Sequence, residues 1–216
     1  MYLVRPNWLM RKTFSSAIWR IPSTDKNLFL TFDDGPITEV TPWVLAMLKE
    51  YNAKATFFCV GANIEKHPDI FNQIISEGHT IGNHTHNHLN GWKTKNKEYF
   101  DNISQCNSII NDRLSTVTEH RSLFRPPYGK MKKSQYSLLN TEYSIIMWDV
   151  LSGDFDQTIS EEKCLRNLLC KTREGSIIVF HDSIKAKKNL FYSLPKFLEH
   201  FSEKGFEFLS LSCSMK

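Results

Sequence analysis

The sequence predicts an α/β fold in which strands and helices alternate around a parallel sheet or barrel. Short apolar runs rich in β-branched and aromatic residues recur along the chain, separated by segments with helical spacing, in about seven strand–helix units. Acidic residues, histidines and an arginine follow these runs, and the ends of parallel barrel strands meet at one rim. The 216 residues, of which 41% are hydrophobic, suffice for one sizeable core.

The predicted strands are apolar runs that cover residues 28–32, 55–60, 79–82, 122–124, 144–148, 176–180 and 206–211. The predicted helices cover residues 41–51, 64–77, 104–114, 134–139, 159–172 and 190–204. In the first helix Val44, Leu45 and Leu48 repeat at helical spacing, and Pro42 suits a first helical turn.

Charge and cysteine usage exclude several classes of protein. The formal net charge of +4 is mild, and no basic stripe or recognition motif indicates a nucleic-acid partner. The cysteines are odd in number and their spacings match no zinc or redox motif, so we interpret them as reduced structural thiols. They are Cys59, Cys106, Cys164, Cys170 and Cys213. Cys59 lies inside an apolar run and is expected in the core.

Residues 1–24 are predicted to be an extension that packs on the main domain, residues 25–216, in a monomeric protein. The extension lacks the uninterrupted apolar stretch of a secretory signal, and no run is long enough to span a membrane. This predicts a cytoplasmic or peripheral membrane location rather than secretion. Trp8, Leu9 and Trp19 beside Arg11 and Lys12 also match an interfacial segment on a membrane surface, which is the less favoured alternative.

Polar side chains follow the predicted strands, and barrel geometry would bring them together at one rim. In chain order they are Asp33 and Asp34 after the first strand, His84, His86 and His88 after the third, Arg125 after the fourth, Asp149 and Asp154 after the fifth, and His181 and Asp182 after the sixth. Random placement would scatter such groups over both rims.

Asp34, His84 and His88 are the candidate metal ligands. Two imidazoles and one carboxylate leave positions open for water and substrate, as in a catalytic zinc site. In a helix His84 and His88 would share a face, whereas in an extended segment His86 would share it with both. Asp33 and Asp34 could instead form a simple turn before Gly35 or cap the N-terminus of a helix, but adjacent acids repel each other unless a cation neutralises one.

The remaining rim residues provide acid–base chemistry. A metal on Asp34 would leave Asp33 ionised beside an activated water, as a general base. The planar guanidinium of Arg125 would orient Asp33. A carboxylate on one nitrogen of His181 would raise the pKa of that imidazole and suit it to act as a general acid. No serine nucleophile elbow or phosphate-binding glycine loop is present, so the combination predicts metal-assisted hydrolysis of an acyl bond.

These motifs resemble the polysaccharide deacetylases, the NodB-homology domain of carbohydrate esterase family four. Five motifs follow the order of that family, from about residue 28 onward. They are Thr31-Phe32-Asp33-Asp34-Gly35, His84-Thr85-His86-Asn87-His88, Arg125-Pro126-Pro127-Tyr128-Gly129, Asp154-Phe155 and Val179-Phe180-His181-Asp182.

The resemblance implies a distorted (β/α) barrel of about seven units, below the usual eight. It implies a metal-dependent hydrolase that removes acetyl groups from the amino sugars of a glycan. The implied cofactor is a divalent metal ion, with zinc as the first choice and cobalt, nickel or manganese as alternatives. The implied metal ligands are Asp34, His84 and His88. The implied acid–base residues are Asp33 as base, Arg125 as its orienter, His181 as acid and Asp154 as its tuner. The Tyr128 N–H would help to hold the oxyanion, and Pro127 would contact substrate.

The fourth motif departs from the family pattern Asp-x-x-Asp-Trp. Leu151 replaces the first acid and Phe155 replaces the tryptophan. Phe155 and Val179 would line the pocket for the acetyl methyl group and keep it apolar. Because the first acid is missing, the nearby Asp149 is an alternative tuner of His181.

Two other functions remain open on the sequence alone: an O-acetyl esterase acting on a polymer such as xylan, and an inactive sugar-binding module. The intact base–acid pair disfavours the second. The glycan itself is also open among peptidoglycan, chitin oligomers and lipid-linked sugars. Trp43, Trp92 and Trp148 could stack on sugar rings, although core packing is the commoner role of tryptophan.

Overall fold

The computed structural model describes residues 2–114 and 122–211, and Met1 and Cys213 lie outside these ranges. Within them eight strands form one sheet in which every pairing is parallel. The strands are β1 (Asn27–Asp33), β2 (Thr56–Cys59), β3 (Thr80–Asn83), β4 (Leu123–Phe124), β5 (Ser144–Ile145), β6 (Val150–Leu151), β7 (Ile177–His181) and β8 (Glu207–Leu209). The predicted alternation of helices and strands is confirmed.

The two edge strands of the sheet, β5 and β6, are neighbours in sequence, so the sheet must curl to bring its edges close to each other. The strand order is β5-β4-β3-β2-β1-β7-β6, with β8 beside the first half of β1. Residues 146–149 connect the two edges. The single strand predicted for residues 144–148 is therefore wrong in detail, since the chain leaves β4 after Ile145 and joins β7 only at Val150.

The helices are α1 (Trp8–Thr13), α2 (Thr41–Glu50), α3 (Gly61–Lys66), α4 (Pro68–Ser76), α5 (Asn96–Arg113), α6 (Lys133–Glu142), α7 (Glu161–Lys171) and α8 (Lys187–Glu203). The helix predicted for residues 64–77 is two helices, because Pro68 disfavours helical geometry at His67. The helix predicted for residues 104–114 begins earlier, at Asn96, and its buried face starts in the first turn with Tyr99 and Ile103. In the part of the chain that the structure describes, no helix is both long and apolar enough to cross a membrane.

Alternation along β1 separates the core from the site. Leu28, Leu30 and Phe32 belong to the large apolar cluster that includes α2 and α8. Phe29 belongs to a separate small cluster, and Thr31 and Asp33 follow it at two-residue intervals, hence on the same face. The interior of the barrel is thus apolar near the amino ends of the strands and polar near their carboxyl ends.

Residues 2–20 contact the barrel at the break between β5 and β6. Ile18 donates to the Ile145 carbonyl and accepts from the Met147 N–H, both at 2.8 Å. Trp19 is buried, whereas Trp8 and Leu9 in α1 are 71% and 62% exposed. The segment therefore has one part that pairs with the sheet edge and one part that lies on the surface.

Candidate metal centre and acid–base site

The loops at the carboxyl rim adopt a strained backbone. Asp34, Thr85, His88 and Tyr128 have φ angles of 85°, 63°, 53° and 61°, a region that side chains with a Cβ rarely adopt. Apart from Asn52, these are the non-glycine residues with positive φ in the described chain. Such strain persists only where the surroundings enforce it, and it clusters at functional sites.

The three predicted metal ligands lie together. Their ligand atoms are all within 4.8 Å of one another. Asp34 Oδ1 is 3.1 Å from His88 Nε2 and 3.8 Å from His84 Nε2. The geometry brings one carboxylate oxygen and two imidazole nitrogens to one point.

The chemistry of these donors matches a cation. Asp34 Oδ1 is buried and has no hydrogen-bond partner in the described chain, even with His88 Nε2 nearby. His84 Nδ1 lies 2.8 Å from the Arg125 carbonyl oxygen, so it carries the hydrogen and leaves the Nε2 lone pair free. Burial lowers the pKa of His84 to about 4, which keeps the ring neutral, as a metal ligand must be.

His86 is turned away from the three ligands. Its Nε2 is 3.7 Å from Glu65, on α3. His84 and His88 lie in a loop after β3, so neither the helical nor the extended interpretation of this segment is right. The positive φ angles at Thr85 and His88 allow the two rings to converge without either regular period.

Asp33 is held by a fully buried arginine. Arg125 Nη1 donates to Asp33 Oδ1 and to Thr31 Oγ1, both at 2.7 Å. Its Nε and Nη2 donate to the carbonyls of Ile146 and Met147, at 3.3 and 2.9 Å. Arg125 therefore ties the carboxylate to the segment that links the two sheet edges. Register places Asp33 directly beside His181.

The Asp154 carboxylate accepts hydrogen bonds from both the backbone and the ring of His181. The His181 ring Nδ1 and backbone N–H each lie 2.8 Å from its carboxylate. Burial of the ring opposes its charged form, but the attraction of Asp154 outweighs this and raises the pKa of His181 to about 9. At neutral pH the imidazole holds a proton that its Nε2 can donate.

Asp149 is not the tuner of His181. Its N–H donates to the Ile177 carbonyl, at the opposite end of β7 from His181. Its carboxylate is bound by Arg5, Arg11, Arg173 and Ser176 at distances between 2.6 and 3.4 Å. The chain bends between residues 146 and 149, so proximity in sequence to Asp154 did not predict proximity in space.

The backbone around Tyr128 presents a free donor at the rim. Pro127–Gly129 forms one 3₁₀ turn, and in the described chain the Tyr128 amide finds no acceptor, whereas the next two amides do. The Tyr128 ring is 59% exposed and its centroid lies 4.6 Å from that of His88. Pro127 is buried in this turn.

Phe155 and Val179, the residues predicted to line the acetyl-methyl pocket, lie next to His181, the predicted general acid. The Phe155 ring meets the His181 ring edge-on at 4.9 Å. Val179 is buried two residues before His181, on the same face of β7. Of the tryptophans considered for sugar stacking, Trp92 is 59% exposed, and its indole N–H donates to the Met131 carbonyl. Trp43 is half-buried and stacks on Phe191 against the edge of the core, and Trp148 is buried.

Asp182 was predicted to lie at the rim, but the sequence indicated no role for it. Its carboxyl accepts from Thr41 Oγ1 at 2.6 Å and from the Gly35 N–H at 3.1 Å. A Cβ on Gly35 would lie 1.9 Å from this carboxyl, which explains the glycine after the two acids. Burial, helped by the charge of Asp34, raises the pKa of Asp182 to about 8. The available signal was the acid that ends the last motif, Asp182, together with the glycine that ends the first motif, Gly35.

The described cysteines are free. Cys59, Cys106 and Cys164 are buried and Cys170 is exposed. Cys59 belongs to the main core, as predicted.

Comparison with known proteins gives a consistent result. The family model described as polysaccharide deacetylase matches residues 20–143. A peptidoglycan-N-acetylglucosamine deacetylase of Bacillus cereus is 35% identical over 192 residues, which are 88% of this chain and 68% of the relative. A chitooligosaccharide deacetylase of Azorhizobium caulinodans is 33% identical over 165 residues, covering 76% of this chain and 77% of the relative.

The fold has a close counterpart among solved structures. A crystal structure of a peptidoglycan N-acetylglucosamine deacetylase in complex with 4-naphthalen-1-yl-N-oxidanyl-benzamide matches with a TM-score of 0.85. The two chains are 31% identical, and the match covers 95% of each. The similarity confirms the distorted (β/α) barrel.

Proposed function

The chain belongs to the polysaccharide deacetylase family, and from this premise we propose that it is a divalent-metal-dependent hydrolase that removes N-acetyl groups from amino sugars of a glycan. The curated relatives support a hydrolytic deacetylase acting on glycans. The metal, the residue roles and the choice of an amide substrate are the parts that we propose.

The observation that carries the proposal is the convergence of three sets of residues at one rim. Asp34, His84 and His88 offer a cation site whose carboxylate oxygen lacks any other partner. Asp33 and His181 are register neighbours on adjacent strands. A carbohydrate-binding module would need neither a base nor an acid, whereas hydrolysis of an amide needs both.

A divalent ion held by these ligands would polarise the acetyl carbonyl and make water more acidic. Asp33, oriented by Arg125, accepts a proton from the attacking water. The Tyr128 N–H donates to the carbonyl oxygen as negative charge develops on it. His181 donates its Nε2 proton to the sugar nitrogen as the C–N bond breaks. The products are acetate and a free amine, and the net reaction consumes one water.

The substrate that we propose is a chain containing N-acetylglucosamine units. The Bacillus cereus and Azorhizobium caulinodans relatives are named for a peptidoglycan and for a chitooligosaccharide, which share this sugar. Phe155 and Val179 offer an apolar wall for the acetyl methyl group. The exposed rings of Trp92 and Tyr128 offer flat surfaces beside the rim on which sugar rings can stack.

Acetate release tests the proposal. Purified protein is incubated with N-acetylglucosamine pentamer and, separately, with O-acetylated xylan, before and after chelation and with zinc added back. We expect acetate from the pentamer, loss of activity with the chelator and recovery with zinc. Preference for xylan would indicate the esterase alternative. Absence of acetate from both, in protein loaded with metal, would indicate a non-catalytic module.

A further inference from the structure

Tyr2 contacts the wall of the candidate acyl pocket, although it lies outside the region that the family model matches. Its ring meets Phe155 edge-on, with centroids 4.9 Å apart. Phe155 in turn meets His181 at the same distance and in a similar geometry. Three rings therefore form a continuous row from the N-terminal segment to the candidate general acid.

The Tyr2 ring also covers the loop that presents Asp154. A Cβ on Gly153 would lie 2.7 Å from the Tyr2 hydroxyl oxygen. Gly153 has a φ of 81° and directly precedes Asp154. Tyr2 thus packs on the residues immediately before and after the carboxylate that holds His181.

The backbone after Tyr2 is fixed along residues 148–151, which lead into β6 and include it. The Leu151 N–H donates to the Val4 carbonyl at 2.8 Å, and the Trp148 indole N–H donates to the Leu3 carbonyl at 3.3 Å. Arg5 then binds the buried Asp149 carboxylate through two nitrogens. Successive attachments to residues 148–151 hold Tyr2 in place, as the support of a pocket wall requires.

The contacts of Phe155 give the Tyr2 ring a role. Phe155 is only partly buried, and Tyr2 packs with it on the same apolar cluster, which also includes Val179. Because Tyr2 and His181 contact the same phenyl ring, removal of the Tyr2 ring would leave space into which Phe155 can rotate away from His181. This rotation would enlarge the pocket.

We propose that Tyr2 is a positioning residue that holds Phe155 against His181, so that the N-terminal segment sets the size of the acyl group that the site accepts. This inference rests on the proposed deacetylase function. Edge-to-face aromatic pairs contribute enough to change populations about 2- to 10-fold. Loss of Tyr2 should therefore reduce kcat on an N-acetyl substrate by about this factor and raise the kcat/KM ratio of propionyl over acetyl by a similar factor.

The test compares Tyr2→Phe, Tyr2→Ala and Tyr2→Ala combined with Phe155→Trp on N-acetylated and N-propionylated glucosamine tetramers. The control is Trp8→Ala, an exposed residue of the same segment. We expect wild-type acyl selectivity in Trp8→Ala and Tyr2→Phe, relaxed selectivity in Tyr2→Ala with zinc content unchanged, and recovery in the double variant. Wild-type selectivity in Tyr2→Ala would overturn the proposal, since general destabilisation lowers the active fraction without changing this ratio.

A double-mutant cycle, measured by thermal unfolding, separates this inference from the proposed function. Tm is measured for Tyr2→Ala, Phe155→Ala and the two combined, and packed rings should give losses smaller in combination than their sum. Wild-type protein that hydrolyses neither tetramer would contradict the proposed function rather than the contact. In that case the Tm measurements test the contact by themselves. If the Tm loss of the double variant equalled the sum of the two single losses, the proposal that Tyr2 positions Phe155 would be overturned.

Discussion

Asp34 and Asp149 occupy opposite electrostatic situations in the same barrel. The buried Asp149 carboxylate has both oxygens bound, by three arginines and a serine. Asp34 faces two imidazoles, and its buried Oδ1 has no hydrogen-bond partner in the described chain. The hydrogen bonds of Arg5, Ser176 and Arg11 outweigh burial and hold the pKa of Asp149 below its ordinary value.

The contrast distinguishes a structural acid from a functional one. A carboxylate with every lone pair satisfied by the protein has nothing left to offer a ligand, so it stabilises the fold. A buried carboxylate oxygen without a donor carries a desolvation cost that a bound cation removes. Burial opposes ionisation of Asp34, but attraction by His88 and by the charge of His181 outweighs it and places the pKa of Asp34 well below its usual range, which keeps it ionised for such a cation.

The largest expected effect is that of Asp34→Asn. An amide cannot replace the charge of the carboxylate, so zinc affinity and activity should both fall, activity by about 10³-fold or more. Zinc content by mass spectrometry and acetate release measure the two losses. Asp149→Asn is the matched control and should retain zinc. Equal loss of zinc in both variants would abolish the distinction between the two acids.

The next effect concerns proton transfer without metal binding. Asp33→Asn and His181→Ala should each reduce kcat by about 10²–10⁴-fold with zinc content unchanged, because a general base or acid acts without ligating the ion. Steady-state kinetics on zinc-loaded protein checks this. If either variant lost its metal as readily as Asp34→Asn, the assignment of ligands and proton carriers would be reversed.

A smaller effect is expected on stability from Asp149→Asn. Loss of charge-assisted hydrogen bonds at a buried carboxylate should cost about 1–3 kcal/mol, reduced by the partial exposure of its arginine partners. Because the pKa of Asp149 is lowered in the folded state, this contribution is present at neutral pH and lost as pH falls through the lowered pKa. Urea unfolding at several pH values measures it. An unchanged midpoint at neutral pH would show that the arginine cluster contributes nothing.

The smallest effect is a shift in pH dependence. The pKa of His181, about 9, exceeds its unfolded value, so the protonated acid persists up to that pH and is lost above it. Asp154→Asn removes the main attraction, and the falling limb of the kcat/KM profile should move to lower pH. NMR titration of the His181 ring in metal-free protein gives the same information directly. If Asp154→Asn left the falling limb at the same pH, that limb would report the titration of a group other than His181.

The strand ends were predictable because parallel strands place their carboxyl ends on one rim. Asp33, Asp34, Arg125 and His181 needed only an apolar run before each of them to be assigned to that rim. The convergence of His84 and His88 was predictable as chemistry but not as geometry. It depends on positive φ angles at Thr85 and His88, which no periodic pattern indicates.

The break between β5 and β6 was not predictable from local sequence. The apolar run of residues 144–148 continues past Ile145, and only pairing with β4 on one side and β7 on the other divides it. The same long-range pairing determines that Asp154, and not Asp149, reaches His181. The contact of Tyr2 with Phe155 joins residues 153 positions apart and has no local signal either.

The central claim is that one cation at Asp34, His84 and His88 enables deacetylation at this rim. The most direct test titrates metal-stripped protein with zinc and measures bound zinc and acetate release from N-acetylglucosamine pentamer in the same samples. The account predicts that activity rises in proportion to bound zinc and saturates at one ion per chain, and that Asp34→Asn shows neither. Full activity before zinc is added, or saturation of zinc in Asp34→Asn at the same site, would contradict it.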